Sequence, residues 1–536
     1  MTTDASRNTT RHSLALVNGR IWTGDNRRHW TDALFADGAR FTAVGSSAEI
    51  MKRVRPDTRV VDARGMVVVP GFIDAHIHFL AGGLGLSSVA LRDASTPREF
   101  ADRIARFARA RPAGTWIRNG DWDHELWGGE LPSRTWIDAE TPDHPVWVNR
   151  LDGHMALANT VALRAAGITR DTPDVPGGTI VRDENGEPTG VLKDNAQTLV
   201  ARVAPPPSDS ELDDALDAAM QFVASKGVTS VHHMGTWEDL AVFERARRAE
   251  RLRTRLYAAV PIDTWERLRD HVAQSGRGDE WLRTGALKGF VDGSLGSHTA
   301  AMIEPFSDAP DDRGLFVNTP DDLYRWTKGA DAAGLHLIVH AIGDLAIRTQ
   351  LDIYERVIRE NGARDRRFRI EHAQHLSEPD IPRFAALDVI ASMQPYHAID
   401  DGRWAERLIG LERARLTYAI RSLLDAKARV AFGSDWFVAP PTPLEGIYAA
   451  VTRRTLDGKN PGGWIPEQRI SVEQALRAYT IDGAFASFEE KDKGSIAIGK
   501  LADFVIIDRD ITRIAPEEIA DAKVVMTVVG GGVVHE

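Results

Sequence analysis

His76 and His78 stand two residues apart at the end of Val67-Val-Val-Pro-Gly-Phe-Ile-Asp-Ala-His-Ile-His78, a stretch led by β-branched residues. Side chains alternate faces along a strand, so both imidazoles point one way while Ile77 points into the packing. Two imidazoles converging from one strand end make half of a metal site. A pair of hydrogen-bonded strand histidines would leave the same signature. Further along, Lys288 lies inside the apolar Ala286-Leu-Lys-Gly-Phe-Val291, where an unpaired ammonium is costly. His340 ends Leu335-His-Leu-Ile-Val-His340, His372 ends Arg369-Ile-Glu-His372 and Asp435 ends Val430-Ala-Phe-Gly-Ser-Asp435. One polar residue closing an apolar run is ordinary. Four histidines, a carboxylate and a lysine doing so in one chain form a set suited to a divalent ion.

The elements that must position these residues read as eight strands, at 72–78, 228–233, 255–260, 286–291, 335–340, 368–372, 389–394 and 430–434. Amphipathic helical stretches separate most of them, at 210–225, 237–251, 320–333, 345–360 and 411–425. Strands alternating with helices predict an α/β chain with a (β/α)8 barrel, whose site would lie at the C-terminal strand ends. That count requires 79–205 to be an insertion after the first strand, lying over the C-terminal face. The insertion carries its own helix (97–110), strands (115–119 and 146–149) and Pro/Gly turns, and ends at Pro205-Pro-Pro207. Short strands with turns at Asn18-Gly19 and Asp37-Gly38 fill the region before residue 70, and strands return at 501–508 and 523–529. The expected division is a disordered tail at 1–11, a β-sandwich from 12–70 plus 490–536, and a barrel at 71–489.

The chain has 536 residues, 43% of them hydrophobic, which is ample for a large core. Its net charge of −11 is spread among interspersed acids and bases, with no basic stripe to recommend nucleic acid or an anionic membrane. The absence of cysteine excludes disulfides, iron–sulfur clusters, thiolate zinc sites and cysteine nucleophiles. The polar first eleven residues lack the apolar core of a signal peptide, and no apolar run reaches the roughly 18 residues of a membrane span. A cytoplasmic enzyme acting on a small molecule, with a homodimer as its expected assembly, follows as the default.

The ordered motifs extend beyond single residues. They are Pro70-Gly-Phe-Ile-Asp-Ala-His-Ile-His78, Asp152-Gly-His-Met-Ala-Leu-Ala-Asn159, Pro176-Gly-Gly-Thr179 and Lys288-Gly-Phe-Val-Asp-Gly-Ser-Leu-Gly-Ser297. After them come His340-Ala-Ile-Gly-Asp344, Ile370-Glu-His-Ala-Gln374, Ser392-Met-Gln-Pro395, Gly433-Ser-Asp435 and Gly494-Ser-Ile-Ala-Ile-Gly-Lys-Leu-Ala-Asp-Phe504. Together they resemble the amidohydrolase superfamily of metal-dependent hydrolases, in the family 3 branch that includes N-substituted formamide deformylases.

The resemblance implies that His76, His78 and Asp435 bind the more buried of two divalent ions, with zinc the usual metal. It implies that His340 and His372 bind the second, and that a CO2-derived carbamate on Lys288 bridges both. A single ion beside an unmodified Lys288 paired with Asp292 or Asp435 is the alternative. The implied reaction is cleavage of an amide or formamide-like C–N bond by a metal-activated hydroxide, with Asp435 as general base and then acid. Deamination, ester or lactone hydrolysis and decarboxylation would use the same centre; a non-catalytic scaffold would have lost it. For the substrate, the expected contacts are His154, Trp122, Asp292, His298 and His397. Trp122 lies in the mixed aromatic and acidic Asn119-Gly-Asp-Trp-Asp-His-Glu-Leu-Trp127. His298 stands where the family usually has arginine, a departure that weakens any transfer of an anionic substrate.

Overall fold

The computed structural model describes residues 13–536; the segment expected to be a tail lies outside them. Eight parallel strands form one sheet in chain order: Phe72–Ile77, Val228–Met234, Arg255–Pro261, Leu282–Phe290, His336–Ala341, Arg369–His372, Ile390–Met393 and Val430–Phe432. Each expected strand forms, within a few residues of its expected ends. The sheet curls into a TIM-like barrel, and the last strand meets the first at the mouth. There the Asp435 amide donates to the His76 carbonyl (2.7 Å) and the His78 amide to the Trp436 carbonyl (2.8 Å). Gly433 permits this approach, because a Cβ there would lie 2.4 Å from the His76 nitrogen. Thus the hydrogen bonds that draw the barrel's edges together run through the residues singled out for chemistry.

Helices cover the barrel where apolar periodicity placed them, among them Asp209–Ala224, Trp237–Arg248, Pro320–Ala332 and Asp344–Asn361. Their starts are capped by Ser208, Thr236 and Thr319, whose hydroxyls accept from the amide three residues on and satisfy an otherwise orphaned donor. The expected single helix at 411–425 is instead two short ones, Leu411–Ala414 and Ile420–Asp425. Tyr418 breaks it with φ +51°, held there by its amide donating to Gln374 O (2.7 Å) and its hydroxyl to Asp401 (2.5 Å). A tertiary contact overrides the helical pattern.

Beside the barrel, a four-stranded and a six-stranded sheet share a core that includes Leu14, Leu34, Phe41, Val68, Phe504 and Met526. The six-stranded sheet combines Arg20–Trp22, Trp30–Thr31 and Val67–Pro70 from early in the chain with Phe504–Ile507, Val524–Val529 and Gly532–His535 from late in it. Asp37-Gly38 makes the expected hairpin between Ala33–Asp37 and Arg40–Gly45. Asn18-Gly19 does not. Ser13–Val17 is already paired on both edges, so the chain leaves it at Asn18 (φ +54°) and crosses to the other sheet.

Residues after the first barrel strand form a separate five-stranded sheet with two apolar clusters of its own. A short helix, Phe79–Gly85, leads there from His78 and lies against Asp209–Ala224 so closely that a Cβ on Gly83 would meet Ala215 O at 2.2 Å. Gly83→Ala should therefore lower stability by about 1–3 kcal/mol, the cost of overpacking a close helix contact, measurable as a lowered denaturation midpoint at constant m-value.

Candidate metal centre and active site

Asp74, His76 and His78 share one face of the first strand by alternation, and each is put to use. Asp74 accepts from Ser434 N (2.9 Å), Ser434 Oγ (2.5 Å) and His76 N (3.2 Å), fixing the two strand ends against each other. His76 Nε2 and His78 Nε2 each lie 3.3 Å from Asp435 Oδ1. That oxygen is buried and makes no hydrogen bond. A carboxylate oxygen left unpaired among imidazole nitrogens is expensive in a protein interior unless a cation occupies the gap.

Two donor triads share this carboxylate: His76, His78 and Asp435, and His372, His397 and Asp435, with donor atoms within 4.8 Å of one another in each. Lys288 reaches in from the fourth strand, its Nζ 3.4 Å from His76 Nε2. His340 stands beside the second triad, its ring 4.5 Å from that of His372 and its Nε2 held by the Gly293 carbonyl at 2.9 Å. His340 and His372, the expected pair, thus stand side by side, with one nitrogen of His340 taken by Gly293, and His397, expected to touch substrate, lies within the same cluster.

Protonation states suit a cation. Burial pushes the imidazoles of His78, His340 and His372 down, keeping them neutral. Burial alone would push Asp435 up, but His76, His78 and His372 outweigh it and hold the carboxyl well below the usual range. Burial also brings Lys288 down to about 8, against the pull of Glu371 and Asp435. Neutral imidazoles, an ionised carboxylate and an unpartnered oxygen together fit a divalent ion.

The backbone carries strain at these positions. His372, Ala373 and Asp435 have φ of +71°, +44° and +61°, a region that non-glycine residues seldom occupy. Such strain persists where surrounding contacts over-determine it and is concentrated at functional sites. Here it turns the chain sharply after strand six and strand eight, so that the last side chains of each point inward over the mouth.

A supporting layer lies beneath, in residues the sequence reading did not single out. Glu371 binds His76 Nδ1, which leaves Nε2 facing the centre. Arg369 grips Glu371 with two hydrogen bonds (2.8 and 2.9 Å) and also reaches His232, Ser392 and the Ala75 carbonyl. Burial would raise Glu371, but Arg369 and His76 bring it down to about 2. Gln394 orients His372 through Nδ1 at 2.9 Å. The signal was present in Arg369-Ile-Glu-His372, where Arg369 and Glu371 share the strand's inward face by alternation. Glu371→Gln should weaken metal binding by roughly 10–100-fold, the usual effect of losing a ligand's hydrogen-bonding partner; competition with a chromogenic chelator measures it.

The other residues expected at the substrate sort clearly. His154 lies in the insertion with its ring 5.1 Å from that of His340 and Nδ1 2.6 Å from Asp194 Oδ1. Burial opposes its protonation, but Asp194 and Asp152 outweigh this and raise its pKa. Asp292 is corrected to a structural role: fully buried, it accepts backbone amides of Ala301, Ile342 and Gly343 (2.8–3.0 Å) and lies 3.6 Å from His340 Nε2. Trp122 is likewise corrected. Its indole is buried in the core of the insertion and donates to the Val148 carbonyl (2.9 Å). His298 is occupied by its own loop, stacked on Phe306 and 3.5 and 3.8 Å from Asp308 and Asp312.

Known proteins agree with this architecture. The model of the Amidohydrolase family matches residues 59–535. Protein LONG AFTER FAR-RED 3 of Arabidopsis thaliana is 41% identical over 97% of this chain and 91% of its own length. N-substituted formamide deformylase of Arthrobacter pascens is 30% identical over 98% of each chain. The crystal structure of an uncharacterized metal-dependent hydrolase from Pyrococcus horikoshii superposes with a TM-score of 0.77 at 28% identity, over 94% of this chain and 99% of that one. The chain belongs to the amidohydrolase family, in its family 3 branch.

Proposed function

We propose that this metal-dependent amidohydrolase cleaves an amide or formamide-like C–N bond of a small molecule. The observation that carries the reading is the buried, unpartnered Asp435 Oδ1 between two imidazole nitrogens 3.3 Å away. His76, His78 and Asp435 would hold one divalent ion, zinc in this reading, and His372 with His397 or His340 a second. Such an ion supplies Lewis acidity for polarising a carbonyl and for ionising water near neutral pH. The chain's own groups supply the rest. Asp435 takes a proton from the attacking water at a carboxylate oxygen and returns it to the leaving nitrogen. His154, whose pKa Asp194 and Asp152 raise against the effect of burial, would donate a hydrogen bond to the substrate carbonyl oxygen. The deformylase activity for which the Arthrobacter pascens relative is named supports a C–N bond over an ester or lactone.

Lys288 carries a CO2-derived carbamate in this reading. Its neutral amine nitrogen attacks the CO2 carbon and releases a proton, exchanging a buried cation for an anion beside the donor triads. Metal-stripped protein reloaded in CO2-free buffer should regain little activity until bicarbonate is added. Equal recovery without bicarbonate would leave Lys288 as a plain amine.

The reading also takes 12–70 with 490–536 as one β domain serving the barrel at 71–489, and 79–205 as the barrel's insertion. It places the enzyme in the cytoplasm as a homodimer, without nucleic-acid or membrane partners. Among the described residues, no helix is long and apolar enough to cross a membrane. A panel of formamides, amides, cyclic amidines, esters and lactones, assayed for formate, carboxylate and ammonia release, tests the reaction. Release of ammonia from amidines alone would replace hydrolysis of amides with deamination.

A further inference from the structure

Between the insertion and the Phe79–Gly85 helix lies a cavity of about 540 Å3, within the range of pockets that enclose small organic ligands. Its apolar lining is dominated by Trp116, Trp147, Phe107, Leu84 and Phe437. Each packs against a hydrophobic cluster yet stays only partly buried, so each leaves apolar surface uncovered at the cavity. Trp147 also keeps an indole N–H that is buried without a partner.

The cavity adjoins the donor cluster across Phe437. His76 is fully buried and Asp435 only 8% exposed, whereas His78 is 28% exposed, so the cluster opens on the His78 side. The ring beside His78 there is Phe437, 5.8 Å away, and Phe437 is itself a wall of the cavity. Arg92 fixes this segment by donating to the carbonyls of Phe437 (2.9 Å) and Val438. Opposite Phe437 is Gly153, where a Cβ would come 3.3 Å from the ring; the next residue is His154. Asn119, Gly120 and Asp121 have three consecutive positive φ values, +63°, +119° and +56°. Asn119 and Asp121 thereby line the cavity, while Trp122 enters the core behind them.

We propose that this cavity seats a bulky aromatic substituent of the substrate, close to the bond that is cut, and that Phe437 at its throat is a specificity-determining residue. The inference rests on the C–N hydrolase reading and adds a substrate class to it: small amides or formamides bearing an aromatic group of one or two rings.

Two arms test it. In the first, 2-naphthylmethanol, which has no C–N bond, is titrated into the metal-loaded enzyme by calorimetry and tryptophan fluorescence. Binding is expected, weakened about tenfold or more in Trp116→Ala and in Phe437→Ala, because apolar contact supplies most of the affinity in such pockets. In the second, kcat/KM is compared between N-methylformamide and N-(2-naphthylmethyl)formamide. A preference of at least tenfold for the larger substrate is expected, carried by KM and reduced in both variants. Trp116→Leu and Phe437→Leu replace the alanine variants if these fail to fold. No naphthylmethanol binding, or binding indifferent to all four substitutions, overturns the proposal even if both formamides are cleaved. Intact, substitution-sensitive binding with neither formamide cleaved sustains the pocket and removes the C–N reading instead.

Discussion

Asp435→Asn should fold normally and turn over at least about 10³–10⁴-fold more slowly than the wild type, at the upper end of what a lost general acid–base contributes. The asparagine keeps the size of the side chain and its place after the eighth strand. It removes the negative charge shared by both donor triads, and with it the oxygen that can accept a proton from water and return it to nitrogen. Because the same side chain would also be a donor to the proposed ion, kinetics alone would confuse two effects. Metal content by mass spectrometry and turnover at saturating metal separate them: a loaded variant that remains slow isolates proton transfer. Near-normal turnover with full metal occupancy would end the assignment of Asp435 as base. The strained φ of +61° predicts a further detail. Asparagine tolerates this left-handed region as aspartate does, so the substitution should not disturb the turn, whereas a β-branched residue there should lower stability as well.

Removing the metal should abolish turnover, by roughly 10³-fold or more, since Lewis-acid stabilisation is worth several kcal/mol and each 1.36 kcal/mol is a tenfold rate. The same treatment should lower the thermal midpoint, because an ion that binds only the folded chain stabilises it by mass action. It also leaves Asp435 Oδ1 buried without a hydrogen-bond partner. Restoring zinc should recover both properties. A panel of divalent ions, each tested for midpoint and turnover, reports which ion the donors prefer. A protein whose midpoint and rate are indifferent to chelation would not be using this cluster as a metal centre.

Local pattern made most of the barrel legible in advance. Most strands are short runs rich in apolar residues, and their inward face follows from alternation within the run itself. His76, His78, Lys288, His340, His372 and Asp435, singled out at strand ends by that pattern, do lie close together in the fold. The misread elements share a different cause. Helix 411–425 breaks at Tyr418 because of Asp401 and Gln374, and Asn18-Gly19 fails as a hairpin because the strand before it has no free edge. Trp122 is core because the strained residues before it turn Asn119 and Asp121, not the indole, toward the cavity.

Residue types at strand ends, and hence the kind of chemistry, were set by the sequence read locally. Which nitrogen faces inward was not. His76 is oriented by Glu371, 295 positions away, and His154 reaches His340 only because the insertion folds across the mouth. The placement of His397 near His372, the Gly293 carbonyl on His340, and the aromatic cavity beside Phe437 belong to the same class. Alternation along one strand is a property of a few adjacent residues. Convergence between strands depends on register, strand-end turns and loop packing summed over the whole barrel, and only the folded chain computes that sum.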